Sequence, residues 1–213
     1  MNAAPSSDWN KGVKHMSDHL LKIEEICDFA VELEKSLLWP LNLFYAQDGR
    51  EMPELTPLFE EQMPEPYRRL LVHNFNMTPT LEHHHSGTIH IEPIHMVIAD
   101  EETTREIVLR MDRDEKPVEY GASRIFFPAV TGQARRMIKE AKIPLGTVLR
   151  ICDCRHTVHS SGYFRIRPSD FFLQVFDMQH KSSLFGRRTT LVALDGQTIA
   201  EVCEVLPLES GLI

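Results

Sequence analysis

Several absences narrow the field. No apolar run approaches the roughly 20 residues needed to span a bilayer, and Met1-Asn-Ala-Ala-Pro-Ser-Ser7 lacks a signal-peptide core. A cytoplasmic protein without a membrane partner is therefore expected. Cysteine is sparse: Cys27, Cys152, Cys154 and Cys203 are scattered, and Cys152-Asp-Cys154 has one spacer residue where common zinc and redox pairs have two. Reduced thiols are the default in that compartment. A basic excess is missing too. The net charge of −8 weighs against a general nucleic-acid surface, so no nucleic-acid partner is expected. No internal repeat is visible. Residues 1–66 show no helix-turn-helix pattern, which argues against a complete DNA-binding regulator.

What is present is ordinary for a globular chain. The 213 residues are 42% hydrophobic and 25% charged, enough for one domain with an extension and a real core. Residues 1–15 are small and polar and are expected to be disordered. Residues 16–65 read as an N-terminal helix, with Leu20, Ile23, Ile26, Cys27, Ala30, Leu33 and Leu37 in one stripe, then a connector with prolines at 40, 53, 57, 64 and 66. The main domain is expected over 66–213. Its pattern predicts a helix over Tyr67–Val72 and a short one from Pro79 to about His84, capped by Thr78. Strands are predicted at Thr88–Ile98, Arg105–Met111 and Val118–Phe127, then a helix over Thr131–Ala141 and a turn at Pro144-Leu-Gly146. Further strands follow at Leu149–His156, Gly162–Ile166 and Phe171–Phe176, and a closing hairpin folds on a two-residue Asp195-Gly196 turn. The order implies an α+β fold, an antiparallel sheet with helices packed on one face.

Three features carry chemistry. Arg105 opens the more apolar face of its strand, with Ile107, Leu109 and Met111. Either it points inward and requires an anion, or it sits at the strand end and reaches water. The free N–H groups near Met77 and Thr78 form either an anion site or a plain helix start. Glu201 and Glu204 stand among apolar residues on opposite faces of the last strand. If one face packs on a core, one of them is buried and becomes a candidate acid or base; if the hairpin is an edge, it points to water. The histidines at 73, 83–85, 90 and 95 fall at no recognised ligand spacing. His90 and His95 are expected on opposite strand faces, and no metal is expected.

Four stretches coincide in order: Leu71-Val-His-Asn-Phe-Asn-Met-Thr-Pro-Thr-Leu-Glu82, Arg105-Glu-Ile-Val-Leu109, Pro144-Leu-Gly146 with Leu149, and Phe185-Gly-Arg-Arg188 with the closing hairpin. Over residues 66–207 the chain resembles the chorismate pyruvate-lyases, whose wider UTRA superfamily includes the ligand-sensing domains of some bacterial transcription regulators. The resemblance implies a closed, flap-covered pocket for an aromatic or cyclohexadiene carboxylate. The implied reaction needs no cofactor and converts chorismate to 4-hydroxybenzoate and pyruvate, a step toward ubiquinone. It gives Arg105 the substrate carboxylate, makes Met77 with Thr78 the pocket closure beside a helix N-terminus, and makes Leu145 and Gly146 a wall. The glutamate near the C-terminus becomes the acid/base group. A monomer or homodimer is expected. The same resemblance admits a non-catalytic binding module for an aromatic acid, or an enzyme on another cyclohexadiene carboxylate.

Two departures stand out. Only Val205 and Leu206 separate Glu204 from Pro207, where the family has three apolar residues. Counted without gaps from the Asp-Gly turn, Cys203 occupies the glutamate's place. Glu204 then needs a β-bulge to face inward, and Glu201, on the face of Cys203, is the fallback. The segment between Pro144-Leu-Gly146 and Gly186-Arg-Arg188 is also longer than in the lyases, which suggests an added hairpin near 150–176.

Overall fold

The computed structural model describes residues 32–207, and the residues expected as a disordered N-terminus and most of the first helix lie outside them. Residues 32–37 are helical. The chain divides between Ser36 and Leu37, and the sheet belongs to the second unit.

That unit is one antiparallel sheet of seven strands: β1 (Glu54–Leu58), β2 (Ile89–Ile98), β3 (Glu102–Met111), β4 (Pro117–Phe126), β5 (His156–Arg167), β6 (Leu184–Ala193) and β7 (Thr198–Leu206). Their order is β1-β5-β6-β7-β4-β3-β2. It reads as two meanders, β2-β3-β4 and β5-β6-β7, joined by the β4–β7 pairing. The helices are α1 (Leu41–Gln47), α2 (Tyr67–Leu71), α3 (Met77–His85), α4 (Gly132–Glu140), α5 (Leu145–Ile151) and α6 (Asp170–Val175). The expected α+β class holds. Among the described residues no helix is long and apolar enough to cross a membrane.

Strand alternation divides the side chains into two layers. One face presents Ile89, Ile91, Ile107, Leu109, Tyr163 and Leu206, covered by Tyr67, Leu70 and Leu71 of α2 and Met77 and Leu81 of α3. Further along, Ile125, Val158, Leu191 and Ala200 pack under Ala134 and Ile138 of α4 and Val148 and Leu149 of α5. The second face is also covered: Val108, Tyr120, Ala122, Phe164, Cys203 and Val205 meet Leu41, Phe44 and Tyr45 of α1 and Phe172 of α6.

Several elements differ from the sequence expectation for identifiable reasons. The stretch read as a connector supplies α1 and the edge strand β1, which tolerates Pro57 because an edge leaves one row of N–H groups unpaired. The cap of α3 is Asn76 rather than Thr78. Pro79 is then the third helical residue, still within the first turn, where no N–H has an intrahelical acceptor. Helix α5 occupies 145–151, where a turn and the start of a strand are expected, and β5 begins only at His156. Phe171–Phe176 is mostly helix rather than strand. The aromatic run packs edge-on, with Phe171 and Phe172 against Tyr120 and ring centroids 5.4 and 5.3 Å away. The longer 150–176 segment therefore adds a helix on the second face. The β6–β7 connection is a three-residue loop, with Gly196 N donating to Ala193 O (2.9 Å), Ala193 N to Gln197 O (2.8 Å) and Gly196 at φ 88°. Only glycine adopts that backbone without strain.

Of the four register shifts in the sheet, two bear on the residues singled out from the sequence. One lies between Pro93 and His95, so His90 pairs with Arg110 and His95 with Glu106. Both histidines therefore lie on the Glu106 face rather than on opposite faces. The other lies opposite Val192: Leu191 pairs with Ala200 but Val192 with Thr198, leaving Ile199 as the extra residue.

On the second face Glu106 is fully buried. Its carboxylate accepts two bonds from Arg50 (2.8 and 3.0 Å), one from the Tyr120 hydroxyl, and contacts His95 Nδ1 at 2.7 Å. The Arg50 guanidinium is stacked on Tyr45 and Phe171, 4.5 and 4.4 Å from the ring centroids. Burial alone would raise the Glu106 pKa, but the bonds from Arg50, His95 and Tyr120 outweigh it and hold it below the ordinary 4.5. A carboxyl whose pKa is depressed by folding stabilises fully above its unfolded value and loses that contribution as pH falls through its folded value. Urea unfolding of Glu106→Gln should accordingly show a weaker fall in stability below about pH 4.5 than the parent chain. Identical acid profiles for the two would contradict this.

Candidate functional site

The bulge at Ile199 builds the site. It turns Glu204 onto the α2–α5 face, opposite Gly121 of β4 and Arg187 of β6, and sends Cys203 into the opposite core. Arg105, Glu119, Gly121 and Ser123 come onto the same face by simple alternation, with Arg105 paired to Ser123 and Leu109 to Glu119. Between this face and the N-terminal ends of α3 and α5 lies a cavity of about 60 Å³. Met77 and Thr78 line it from the first turn of α3, Leu145 and Gly146 from the first turn of α5, and Arg105, Glu119, Arg187, Thr189 and Glu204 from the sheet.

Five of the six substrate-contacting candidates are thus brought together: Arg105, Met77, Thr78, Leu145 and Gly146, with the acid/base candidate Glu204 opposite. The sixth, Glu201, is not among them. It lies on the other face, where its carboxylate accepts from Trp39 Nε1 and Arg188 Nη2, both at 2.9 Å. Alternation explains the separation, since Glu201 and Glu204 are an odd number of residues apart.

The electrostatics of the cavity are uneven. Arg105 is 3% exposed. Its Nε donates to Ser123 Oγ at 3.3 Å, and its Nη1 has no hydrogen-bond partner among the described residues. Burial pulls its pKa down to about 10, with the charge of Glu119 acting the other way, so it remains a cation at neutral pH. Arg187, 1% exposed, is fully engaged. Its Nε donates to Glu204 Oε2 (2.5 Å), and its Nη atoms donate to the carbonyls of Leu71 (3.1 Å), His73 (3.0 Å) and Phe75 (3.2 Å). It thereby ties Glu204 to the segment leading into α3. His73, beside Arg187, is held below the usual imidazole range, first by burial and then by that guanidinium.

Glu119, 4% exposed, has no such partner. Its Oε2 makes no hydrogen bond among the described residues. Burial first, then the charge of Glu204, push its pKa well above the ordinary 4.5, although Arg187 and Arg105 oppose the shift. Sequence reasoning missed both Glu119 and Arg187. A signal for Glu119 is present: with Gly121 and Ser123 it makes one face of β4 small and polar in the middle of a sheet. Arg187 lies within a recognised motif, but its number of carbonyl acceptors depends on a fold the sequence does not display.

The histidine run forms the last turn of α3, where imidazoles favour the negative end of the helix dipole. Among the described residues, Asp48, His95 and Glu106 bring ligand atoms within 4.8 Å of one another. This group lies on the second face, and Glu106 there is already bound by Arg50. An outer cleft of about 360 Å³, lined by Glu82, Arg150, Arg155 and His156, shares Asn76 and Gly146 with the cavity. His156 Nε2 contacts Asn76 Oδ1 at 3.0 Å across that shared wall.

No family model matches the sequence, and no curated protein matches it. Among solved structures the chain is similar to the effector domain of PhnF from Mycobacterium smegmatis, at 12% identity over 62% of this chain and 88% of that one, with a TM-score of 0.49. It is similar to the ligand-binding domain of a putative GntR-family transcriptional regulator from Bordetella bronchiseptica, at 10% identity over 58% and 86%, with a TM-score of 0.44. It is also similar to the possible transcriptional regulator YydK from Bacillus subtilis, at 7% identity and a TM-score of 0.45, where the match spans 56% of this chain and 58% of that one. At these values the likeness concerns chain path alone, and the function rests on the cavity.

Proposed function

We propose that the cavity binds a ring carboxylate through Arg105, and that the chain is a cofactor-independent lyase releasing 4-hydroxybenzoate and pyruvate from chorismate. The observation that carries this is the placement of Arg105 and Glu204 in the same cavity. An unpartnered, buried guanidinium nitrogen costs stability unless a ligand supplies its acceptor. Two arginines stand against the ion-paired Glu204 and against Glu119, whose raised pKa disfavours its charged form, and this balance favours an anionic ligand. A second carboxylate would be served by the free N–H groups at the start of α3. Loss of the enolpyruvyl group with a ring proton aromatises the ring, so the protein's task is orientation, water exclusion and proton transfer. A cavity of about 60 Å³ holds a few waters rather than a six-membered ring. Substrate therefore requires one wall to open. Phe75, 69% exposed in the segment before α3, lines the cavity on its outer side.

Incubation of the purified, metal-free protein with chorismate tests the reading. Equimolar 4-hydroxybenzoate and pyruvate are expected, and unchanged chorismate over many hours would overturn it. A second reading, a non-catalytic sensor of an aromatic acid, is favoured by one observation: the Glu204 carboxylate is already occupied by Arg187. Under that reading 4-hydroxybenzoate or a similar acid binds but chorismate is not consumed. Both readings share the anchor. Arg105→Ala should weaken 4-hydroxybenzoate binding by about 1.5–3 kcal/mol in calorimetry, and lysine should rescue poorly because it cannot form a forked contact. Unchanged affinity in Arg105→Ala would remove the anchor from both.

A further inference from the structure

We infer that Glu119 is a second catalytic carboxyl of this cavity, the group that gives its proton to the departing enolpyruvyl oxygen. The inference rests on the lyase reading and adds a residue and a division of labour to it.

The geometry begins with Gly121. A Cβ at that position would stand 3.1 Å from Glu119 Oε1 and 3.3 Å from the Cys203 carbonyl. The glycine therefore leaves open the space over its strand that the Glu119 carboxyl uses. Glu204 is the residue paired with Gly121 on the next strand, so the two carboxyls flank the same glycine. They differ in their partners. Glu204 holds Arg187 at 2.5 Å, whereas among the described residues Glu119 forms no ion pair and its Oε2 has no hydrogen bond. A buried carboxyl oxygen without a hydrogen-bond donor is costly to keep, and the two arginines nearby offset that cost only through space, without a bond to Oε2 among the described residues. Two carboxyls on one cavity wall, one ion-paired to an arginine and the other without a hydrogen-bond donor to its Oε2 among the described residues, can divide the roles of base and acid. The charged and titratable groups facing Glu119 are Arg105 from β3, Glu204 from β7 and Arg187 from β6, with His73 behind Arg187. The burial of Glu119 and the charge of Glu204 outweigh both arginines and favour its protonated form.

The step balances. The ring carbon that bears the hydroxyl loses its hydrogen as a proton to Glu204, and the electron pair of that C–H bond becomes ring π density. The neighbouring C–O bond to the enolpyruvyl group breaks with its pair on oxygen, and that oxygen takes the Glu119 proton. Enolpyruvate leaves and tautomerises to pyruvate, and the ring is 4-hydroxybenzoate. Glu204 now carries one proton more and Glu119 one fewer; return of that proton resets the pair with no net uptake.

The test compares wild type and Glu119→Gln with chorismate as substrate, from mildly acidic to alkaline pH, with 4-hydroxybenzoate binding measured alongside. Wild-type kcat/KM should be high on the acid side and fall as pH rises through the raised pKa of Glu119. In Glu119→Gln, 4-hydroxybenzoate should still bind, turnover should drop by about 10²–10⁴-fold, and the alkaline fall should disappear. Turnover and a pH profile equal to wild type in Glu119→Gln would overturn the assignment while leaving the lyase reading intact. If the variant does not fold, the wild-type profile decides alone: a rate that does not fall toward alkaline pH overturns the assignment. Absence of product from the wild type would instead overturn the lyase reading, and the role of Glu119 with it.

Discussion

Glu204→Gln should keep the fold and the affinity for 4-hydroxybenzoate, and should lose chorismate turnover by about 10²–10⁴-fold, the usual contribution of a positioned proton-transfer group. The amide is nearly isosteric and still accepts a hydrogen bond from Arg187 Nε, so a loss of turnover with binding retained reports on chemistry rather than packing. Glu201→Gln is the matched control. Its carboxylate sits on the other face with Trp39 and Arg188, and turnover should stay close to wild type. Equal losses at both positions would mean that the hairpin, not the carboxyl, had been damaged.

The largest expected effect on stability belongs to Arg187→Met. This arginine is 1% exposed and donates to a carboxylate and three backbone carbonyls. Its removal leaves Glu204 charged, buried and without a counter-charge, which typically costs about 3–5 kcal/mol. A domain of this size has about 5–15 kcal/mol in total, so urea unfolding should show a much lower midpoint at an unchanged slope. Adding Glu204→Leu to Arg187→Met should recover part of the loss, because the stranded charge is gone. A single variant within about 0.5 kcal/mol of wild type, the range of ordinary surface changes, would show that the pair does not hold the α3 segment to the sheet.

How much of this was legible in the sequence follows from what periodicity can carry. The alternation of Arg105, Ile107, Leu109 and Met111 gave the shared face of β3 and left open whether Arg105 turns inward or reaches water; the bulges opposite it, at Ile94 of β2 and Val118 of β4, lie on the partner strands and leave its own alternation intact. The helix read over Thr131–Ala141 is present at 132–140, with Thr131 as its cap rather than its first residue: Oγ1 accepts from Ala134 N at 3.2 Å. Bulges are different. Ile199 as an extra residue decides whether Cys203 or Glu204 enters the cavity, and the sequence showed only that such a residue was required for Glu204 to face inward. Near His95 a bulge reversed the expected direction, since alternation counts residues and a bulge adds one without a composition signal. The Phe171–Phe176 run failed for another reason. A short apolar run fits a buried strand or a buried helix equally, and its packing against Tyr120, distant in sequence, decides for the helix. Glu119 was legible in principle, as an acid sharing a face with Gly121 and Ser123. Its importance appears only once β7 brings Glu204 beside it.

A crystal structure of the protein with 4-hydroxybenzoate tests the central claim, that this cavity is a ring-carboxylate site anchored by Arg105, most directly. The ligand carboxylate should accept from Arg105 Nη1, which has no other partner among the described residues, with the phenolic hydroxyl toward Glu204 and the Phe75 segment displaced to admit the ring. A ligand bound elsewhere with Arg105 Nη1 still without an acceptor, or bound in the cavity with its carboxylate on another group, would contradict the account.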